Sequence, residues 1–499
     1  MEKGWQQRPG DKIIRRPRIT GDRLQRSLGV PSLFSAAYGN VGSSIYYALG
    51  VVALVALGAT PVALLLAGIL FIFTALSYAE GTAMLPEAGG SASFARHGFN
   101  NLVGFLAGWA LMLSYIVTIA ISAYTIPPYL GHFSAFEPMK DSPVVGTAVS
   151  MGVIVFLMAV NVVGVKESSR LNILATTLDL ITQLCIIVLG IALILWVDPM
   201  QLVNNMFGPG NWPLSWHDII HGIPNHWPNA SGLVFGIALA ALAFTGVETV
   251  SQMAEETRHP QARTPRALML MTITVLVIFA GISIVALTAM PPDVLGDAEN
   301  GWARDPVAGI AANLGNDTAT AVFEPLIAVL AATILIVATN AGVMGISRLA
   351  FSLGTHQQLP ATLSRVHHRF RTPYISIILF CLIALVVLIP GFFSEGFFED
   401  LGALYTFGAL LSFAFAHASI LSLRVRKPDL ERPFKLHFNI KIKGREIPIT
   451  AVIGLVATAS IWGVIVVAQE YSRLAGFSWM FLGLLAYYWY RRKNKLPLG

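Results

Sequence analysis

Position 179 is an aspartate in the middle of an apolar run, Thr176-Thr177-Leu178-Asp179-Leu180. An acid at the centre of a membrane helix costs about 2.5–3.5 kcal/mol on an insertion scale, so such a residue is read first as functional. Asp179 could hold a proton, or a Na+ or K+ ion. The plainer reading is a neutral carboxyl hydrogen-bonded to a nearby Thr or to Gln183. Two other stretches carry chemistry in their backbone, because glycine interrupts an apolar run. The first is Gly39-Asn40-Val41-Gly42-Ser43-Ser44 and the second is Phe244-Thr245-Gly246-Val247-Glu248. Unwinding at the first would free amides at a half-helix amino terminus, where the dipole is positive. The N–H groups of Gly42, Ser43 and Ser44 could then hold a carboxylate. At the second, carbonyls freed near Ala241, Phe244 and Thr245 could accept hydrogen bonds from an amine. The plainer reading of both is that glycines permit close helix packing. Glu248 is a second intramembrane acid, able to titrate or to bridge helices. Tyr115, Thr118 and Ser122, with Tyr405 and Thr406, could line a cavity or bond neighbouring helices. His417 could shuttle a proton, although a lone histidine on an apolar helix is more often a packing residue. No catalytic constellation, cofactor motif or metal-ligand set is visible. That argues against an enzyme and leaves a coupling ion as the one cofactor-like species expected.

Composition describes the elements that must carry these groups. Apolar residues make up 55% of the chain and charged residues 12%, against about 25% charged in soluble proteins. Runs of 18 or more apolar residues recur, and each is a candidate membrane helix. The runs predict twelve spans, at 30–57, 61–85, 100–131, 143–165, 170–197, 230–256, 267–290, 322–354, 373–391, 398–426, 449–470 and 474–491. With these spans, all but Lys140, Arg304 and Arg473 of the 33 Lys and Arg residues fall in the amino tail, the even-numbered loops or the carboxyl tail. The positive-inside rule therefore places both termini in the cytoplasm. This bias accounts for the net charge of +6 better than nucleic-acid binding does. The basic tail lacks the apolar core of a signal peptide. Cys185 and Cys381 both lie inside predicted spans, which argues against a structural disulfide. The sequons Asn229-Ala230-Ser231 and Asn316-Asp317-Thr318 read as chance matches.

The two interruptions fall in the first and sixth spans. This divides the chain into a basic tail (1–29), two five-helix blocks (30–197 and 230–426) and a closing helical pair (449–491). An outer loop (198–229), a cytoplasmic loop (427–448) and a short tail (492–499) complete the division. Five is odd, so the second block enters from the opposite side and the repeat is inverted. Paired interruptions in corresponding positions point to a binding site at the repeat interface. The fold class expected is an all-α membrane protein with a 5+5 inverted repeat, discontinuous helices 1 and 6, and two extra helices.

Four stretches resemble the amino acid–polyamine–organocation permeases. They are Gly39 to Ile45; Tyr78-Ala79-Glu80 with Pro86-Glu87-Ala88-Gly89-Gly90; Phe244 to Glu248 with Glu255-Glu256 and Pro260; and Ser347-Arg348 with Leu359-Pro360 and His368-Arg369-Phe370-Arg371-Thr372-Pro373. Arg432-Pro433-Phe434 fits as well, and together these cover about residues 30–440. The resemblance implies the leucine-transporter fold and alternating access. It implies that Gly39, Gly42, Ser43 and Ser44 contact a substrate carboxylate, and it supplies a precedent for Glu248 in the sixth-helix glutamate. Two departures matter. Some members place a lysine near Asp179, and here the charge is reversed. Several members carry an aromatic gate where this chain has Leu242, so cation–π recognition is missing there. Tyr46, Tyr47 or Phe244 could supply an aromatic wall instead. Glu80 reads as structural.

The function expected is secondary active transport of amino acids across the cell membrane, coupled to H+ or Na+. The alternative is a K+ or other cation permease using Asp179. A membrane receptor is disfavoured because the short tails hold no signalling domain. The partners expected are a small-molecule substrate and the lipid bilayer.

Overall fold

The computed structural model describes residues 28–164, 169–195, 198–297, 301–394, 396–442 and 444–498. Most of the basic tail, Lys166 and residues 196–197 lie outside these. Ten stretches among the described residues are long and apolar enough to cross a bilayer. The first, Val30–Met84, is 55 residues long and turns back on itself at Leu57–Ala59, where Leu57 has a φ of 45°. It therefore holds two of the expected spans. The difference from twelve lies also at the last span. Glu470–Lys493 is helical, but charges at its ends and Tyr487, Tyr488, Trp489 and Tyr490 keep it outside the apolar set.

The helices begin where local chemistry starts them. Asn100 accepts from the Val103 amide at 3.0 Å and opens Asn101–Leu130. Pro143 supplies a preset φ at the start of Pro143–Val163, where its missing N–H costs nothing. Asn229 caps Ala230–Ala240 through the Gly232 amide at 2.7 Å, and Asn316 caps Asp317–Thr355 through the Ala319 amide at 3.0 Å. Both sequons thus serve as helix caps.

Packing follows a regular scheme. Thr60–Met84 packs on Pro260–Ala289, Asn101–Leu130 on Asp317–Thr355, and Pro143–Val163 on Tyr374–Val387. The second, third and fourth spans each meet the one five places later. The first span does the same in halves. Ile45–Ala56 packs on Ala230–Ala240, and Val30–Val41 packs on Val247–Gln252. Large apolar side chains such as Phe156, Val188, Ile273, Val386 and Val456 are exposed on the outside of the bundle, as in a protein surrounded by lipid. One short β element accompanies the helices among the described residues. Asn439–Ile442 and Arg445–Pro448 form an antiparallel hairpin. Gly444, at φ 78°, allows its tight turn.

Candidate functional site

The first interruption is gentler than expected. Val30–Val41 and Ile45–Ala56 are joined by a single tightened turn, Gly42–Ser44. Dihedrals stay helical, with Gly42 at −64°, −32° and Ser44 at −64°, −22°. The Gly42 amide remains bonded to the Tyr38 carbonyl, so in this conformation it is not free for a ligand. Side-chain hydroxyls tighten the turn: Ser43 Oγ donates to the Asn40 carbonyl at 2.9 Å, and Ser44 Oγ lies 2.9 Å from the Tyr47 hydroxyl. A Cβ on Gly42 would stand 2.5 Å from the Tyr38 ring, so glycine here is what lets Tyr38 lie across the turn. Gly39 packs against Val337 of the eighth span.

The second interruption is a full break. After the turn Ala241–Phe244, Thr245 is extended at −85°, 147°, and Gly246 has a φ of 127°. Only glycine adopts that conformation without strain. It is doubly required, because a Cβ on Gly246 would lie 2.4 Å from Val41 Cγ2. The two interruptions therefore touch. Asn40 Nδ2 donates to Thr249 Oγ1 at 3.1 Å and ties the half-helices on either side of that contact.

Around the contact, hydroxyls gather on one wall. Thr245 Oγ1 donates to the Leu242 carbonyl at 3.0 Å and also meets the Tyr405 hydroxyl. Tyr47 and Thr118 flank Tyr405. An apolar wall stands beside them, where Leu242 and Val51 pack against Gly402. Phe244, expected as a wall, turns away. Its ring meets Phe71 at 5.5 Å and Phe279 at 5.2 Å, in the packing between the second and seventh spans. Tyr46 also turns elsewhere, toward Asp179. Of the three aromatic residues expected there, Tyr47 is the one left at the contact, beside Tyr405. Every residue from Asn40 to Gly50 and from Leu242 to Glu248 is buried, so this site is closed toward both faces.

Asp179 is fully enclosed, in Ser169–Gly190. Its carboxylate accepts from Tyr46 OH at 2.6 Å, Tyr38 OH at 3.2 Å and Gln183 Nε2 at 2.9 Å. Tyr38 and Tyr46 stand four residues before and four after Gly42, so the acid is clamped to both sides of the first interruption. No basic side chain appears among these contacts. The Gln183 Oε1 oxygen has no hydrogen-bond partner among the described residues.

The other expected residues divide. Glu248 is buried and accepts from the Gly246 amide at 3.0 Å, directly at the second break. Tyr115 lies on Gly345 of the eighth span with its hydroxyl unpartnered among the described residues. Thr118 Oγ1 donates to the Ser114 carbonyl at 2.9 Å, and Thr406 Oγ1 to the Gly402 carbonyl at 2.8 Å. Ser122 is buried on the same helix as Thr118. His417 has the packing role: its ring nitrogens meet Ser77 at 2.9 Å and Thr74 at 3.2 Å, and its ring fills the space over Gly454. Glu80 forms a bidentate pair with Arg424, at 2.7 and 2.6 Å, and takes the Leu436 amide at 2.8 Å. Gln183 is the partner of Asp179 that the plainer reading named, whereas Tyr38 and the Asn40 side chain are contributors that the motif reading passed over. The i, i+4 spacing of Tyr38, Gly42 and Tyr46, and of Asp179 and Gln183, was the available signal.

Comparison with known proteins agrees with this architecture. The model of the amino acid permease family matches residues 28–489. The chain is 25% identical to the branched-chain amino acid permease of Bacillus subtilis over 491 residues, 94% of each chain. It is 25% identical to the methylthioribose transporter of the same organism, over 91% of each. It is 26% identical to the low-affinity putrescine importer of Escherichia coli K12, over 89% of this chain and 88% of that one. The chain is thus an integral membrane protein and a transporter rather than an enzyme, and it belongs to the amino acid permease family.

Proposed function

We propose that this protein moves neutral amino acids with apolar side chains across the cell membrane by alternating access, coupled to protons through Asp179. The observation that carries the reading is the contact between the two interruptions, with Asp179 clamped across the first by Tyr38 and Tyr46. A site at the meeting of two discontinuous helices suits a substrate that must be reached from either face in turn. The pairing of the first four spans with the sixth to ninth supports a 5+5 inverted repeat followed by two further helices. The distribution of basic residues supports cytoplasmic termini.

The substrate class follows from the walls. Ser43, Ser44, Tyr47, Thr245 and Tyr405 offer neutral polar groups suited to an amino acid's backbone ends. Leu242 and Val51, packed on Gly402, offer apolar groups to its side chain. A diamine would need a free acid, and both nearby acids are already engaged by donors. That favours the substrate class of the branched-chain permease over that of the putrescine importer. For the amides of Gly42 to Ser44 to bind a carboxylate, the turn must unwind from the conformation described, which assigns that step to substrate entry.

The donors around Asp179 support proton rather than metal coupling. Tyr38, Tyr46 and Gln183 present hydrogens to it, whereas an alkali cation needs a shell of oxygens. On protonation, turning the Gln183 amide over would offer its oxygen to the new O–H. Glu248 is the second group assigned to coupling, since its carboxyl accepts from the Gly246 amide at the second break.

Uptake by proteoliposomes tests the reading. Labelled leucine, isoleucine and valine should accumulate under an inward proton gradient and stop on its collapse. Labelled putrescine and a K+ tracer should not. K+ flux without any amino acid response would replace this reading with the cation-permease alternative.

A further inference from the structure

The loop between Pro260–Ala289 and Asp317–Thr355 carries two short helices, Pro292–Gly296 and Pro306–Ala312. It lies directly on the half-helix Ile45–Ala56, beyond the first interruption. A Cβ on Gly50 would stand 1.8 Å from the Ala303 carbonyl oxygen, and one on Gly296 would stand 2.8 Å from that of Ala53. The loop is a lid on this half-helix, and one cluster fastens it. His132, just past Asn101–Leu130, is 8% exposed, with Nε2 2.7 Å from Asp305 Oδ2 and Nδ1 3.1 Å from Glu324 Oε1. Asp305 belongs to the lid, and Glu324 belongs to Asp317–Thr355. Lys140, in the short helix Pro138–Asp141, reaches the same Asp305 oxygen at 2.9 Å. The Trp302 ring of the lid lies parallel to the imidazole, with centroids 5.7 Å apart, and Lys140 Nζ stands 4.7 Å from an indole ring centre.

A neutral imidazole has one N–H and one lone pair, and an ionised carboxylate only accepts. Both contacts of His132 are hydrogen bonds only when the ring carries both protons. In the neutral ring, one nitrogen turns a lone pair toward a carboxylate. We propose that His132 is a proton-binding site on the outer face, separate from Asp179, which latches the lid over Ile45–Ala56 when protonated and releases it when neutral. The charged groups facing it are Asp305 from the lid, Glu324 from the eighth span and Lys140 from the connection after the third. Lys140 holds the same Asp305 oxygen, so the Glu324 contact is the one that depends on the ring alone. A continuous path joins the latch to the buried acid. The Val307 amide of the lid donates to Tyr129 OH at 3.4 Å, Tyr129 OH donates to the Tyr46 carbonyl at 2.9 Å, and Tyr46 OH donates to Asp179. The half-helix carrying Tyr46 is thus the element on which both proton sites act. A proton arriving from outside closes the outer gate, as a proton-driven importer requires before its inner half can open. The inference rests on the transporter reading with this face outward.

The test is accessibility of Val51, buried on the half-helix beneath the lid. In a background with Cys185→Ser and Cys381→Ser, Val51→Cys would be labelled from outside with a membrane-impermeant maleimide. Its rate would be divided by that of Trp216→Cys, an exposed position on the same face, which removes the thiol's own pH dependence. The expected result is a normalised rate that rises at least about tenfold between pH ~5 and pH ~8, where histidine changes charge. The rise should vanish in His132→Gln and flatten in Glu324→Gln, a milder change at a part-exposed residue. A ratio independent of pH in the parent, a pH response that survives both substitutions, or no labelling from outside at any pH would overturn the proposal. The labelling needs no substrate. Gated labelling with no amino acid uptake by the wild-type protein would reject the transport reading alone, and wild-type uptake with ungated labelling would reject the latch alone.

Discussion

Two buried carboxylates, Glu80 and Asp179, have opposite surroundings. Glu80 meets Arg424 through two short hydrogen bonds, lies 3.6 Å from Arg432 Nε, and takes a backbone amide besides. Asp179 has two phenols and an amide. A carboxylate with a fixed counter-charge has little freedom to change protonation, because losing its charge strands the arginine. A carboxylate held only by neutral donors can take a proton and leave no buried ion behind. The contrast separates an acid that fastens the fold from an acid that can cycle, and it does so by partners rather than by burial, which the two share.

The largest effect should come from breaking the fastened pair. Arg424→Gln leaves Glu80 buried beside a weaker partner and should cost about 3–5 kcal/mol of stability. It would be read as a large fall in the thermal midpoint in detergent, together with poor expression. The matching change at the other acid, Asp179→Asn, should leave that midpoint nearly unchanged. Next in size, Gly246→Ala forces a side chain into a φ of 127° and onto Val41. Backbone strain of this kind costs of order 1–3 kcal/mol, and uptake should fall further than stability does because the second break is distorted. Smaller still, Tyr46→Phe removes the shortest bond to Asp179 and should lower the accumulation ratio several-fold, with Tyr38→Phe milder. Equal effects would show that the 2.6 and 3.2 Å contacts do not differ in function.

The smallest effect concerns a third acid, at the surface. Burial opposes the charge of Glu87, but hydrogen bonds from His97 and Ser93 and the Arg96 charge outweigh it and bring the carboxyl down to about 2. A lowered folded-state value contributes stability that is present above the unfolded value of about 4.3 and is lost as pH falls toward the folded one. Glu87→Gln should therefore lower the midpoint modestly at neutral pH and flatten its decline below about pH 4. A midpoint with the same acid profile as the parent would remove Glu87 as a contributor.

What the sequence revealed follows the physics of each residue. Asp179 was legible because charge in an apolar run is costly wherever the chain goes. Gly246 was legible because its need for glycine is local. The spans were legible because bilayer thickness sets their length, and the last, Glu470–Lys493, is helical but less apolar than the others. Of the partners of Asp179, Gln183 was legible because it lies one helical turn away, and the distant ones were not. Tyr38 and Asp179 are 141 positions apart, and only the packing of the first span on the fifth decides that they meet. The direction of Phe244 failed for the same reason, since an aromatic beside a break can face the site or the neighbouring helices. The unwinding expected of Gly42 to Ser44 was read from composition, yet serine hydroxyls can tighten a helix as well as interrupt it. His132 carries no motif. Its importance arises from a loop and a span that approach it from far along the chain.

The central claim is that Asp179 carries the proton that moves with substrate. The most direct measurement is lumenal pH in proteoliposomes, followed by a trapped dye as an amino acid is added outside without any imposed gradient. The wild-type protein should acidify the lumen on addition of leucine. Asp179→Asn should exchange labelled leucine for unlabelled leucine and yet cause no acidification. Acidification by Asp179→Asn at the wild-type rate would contradict the account.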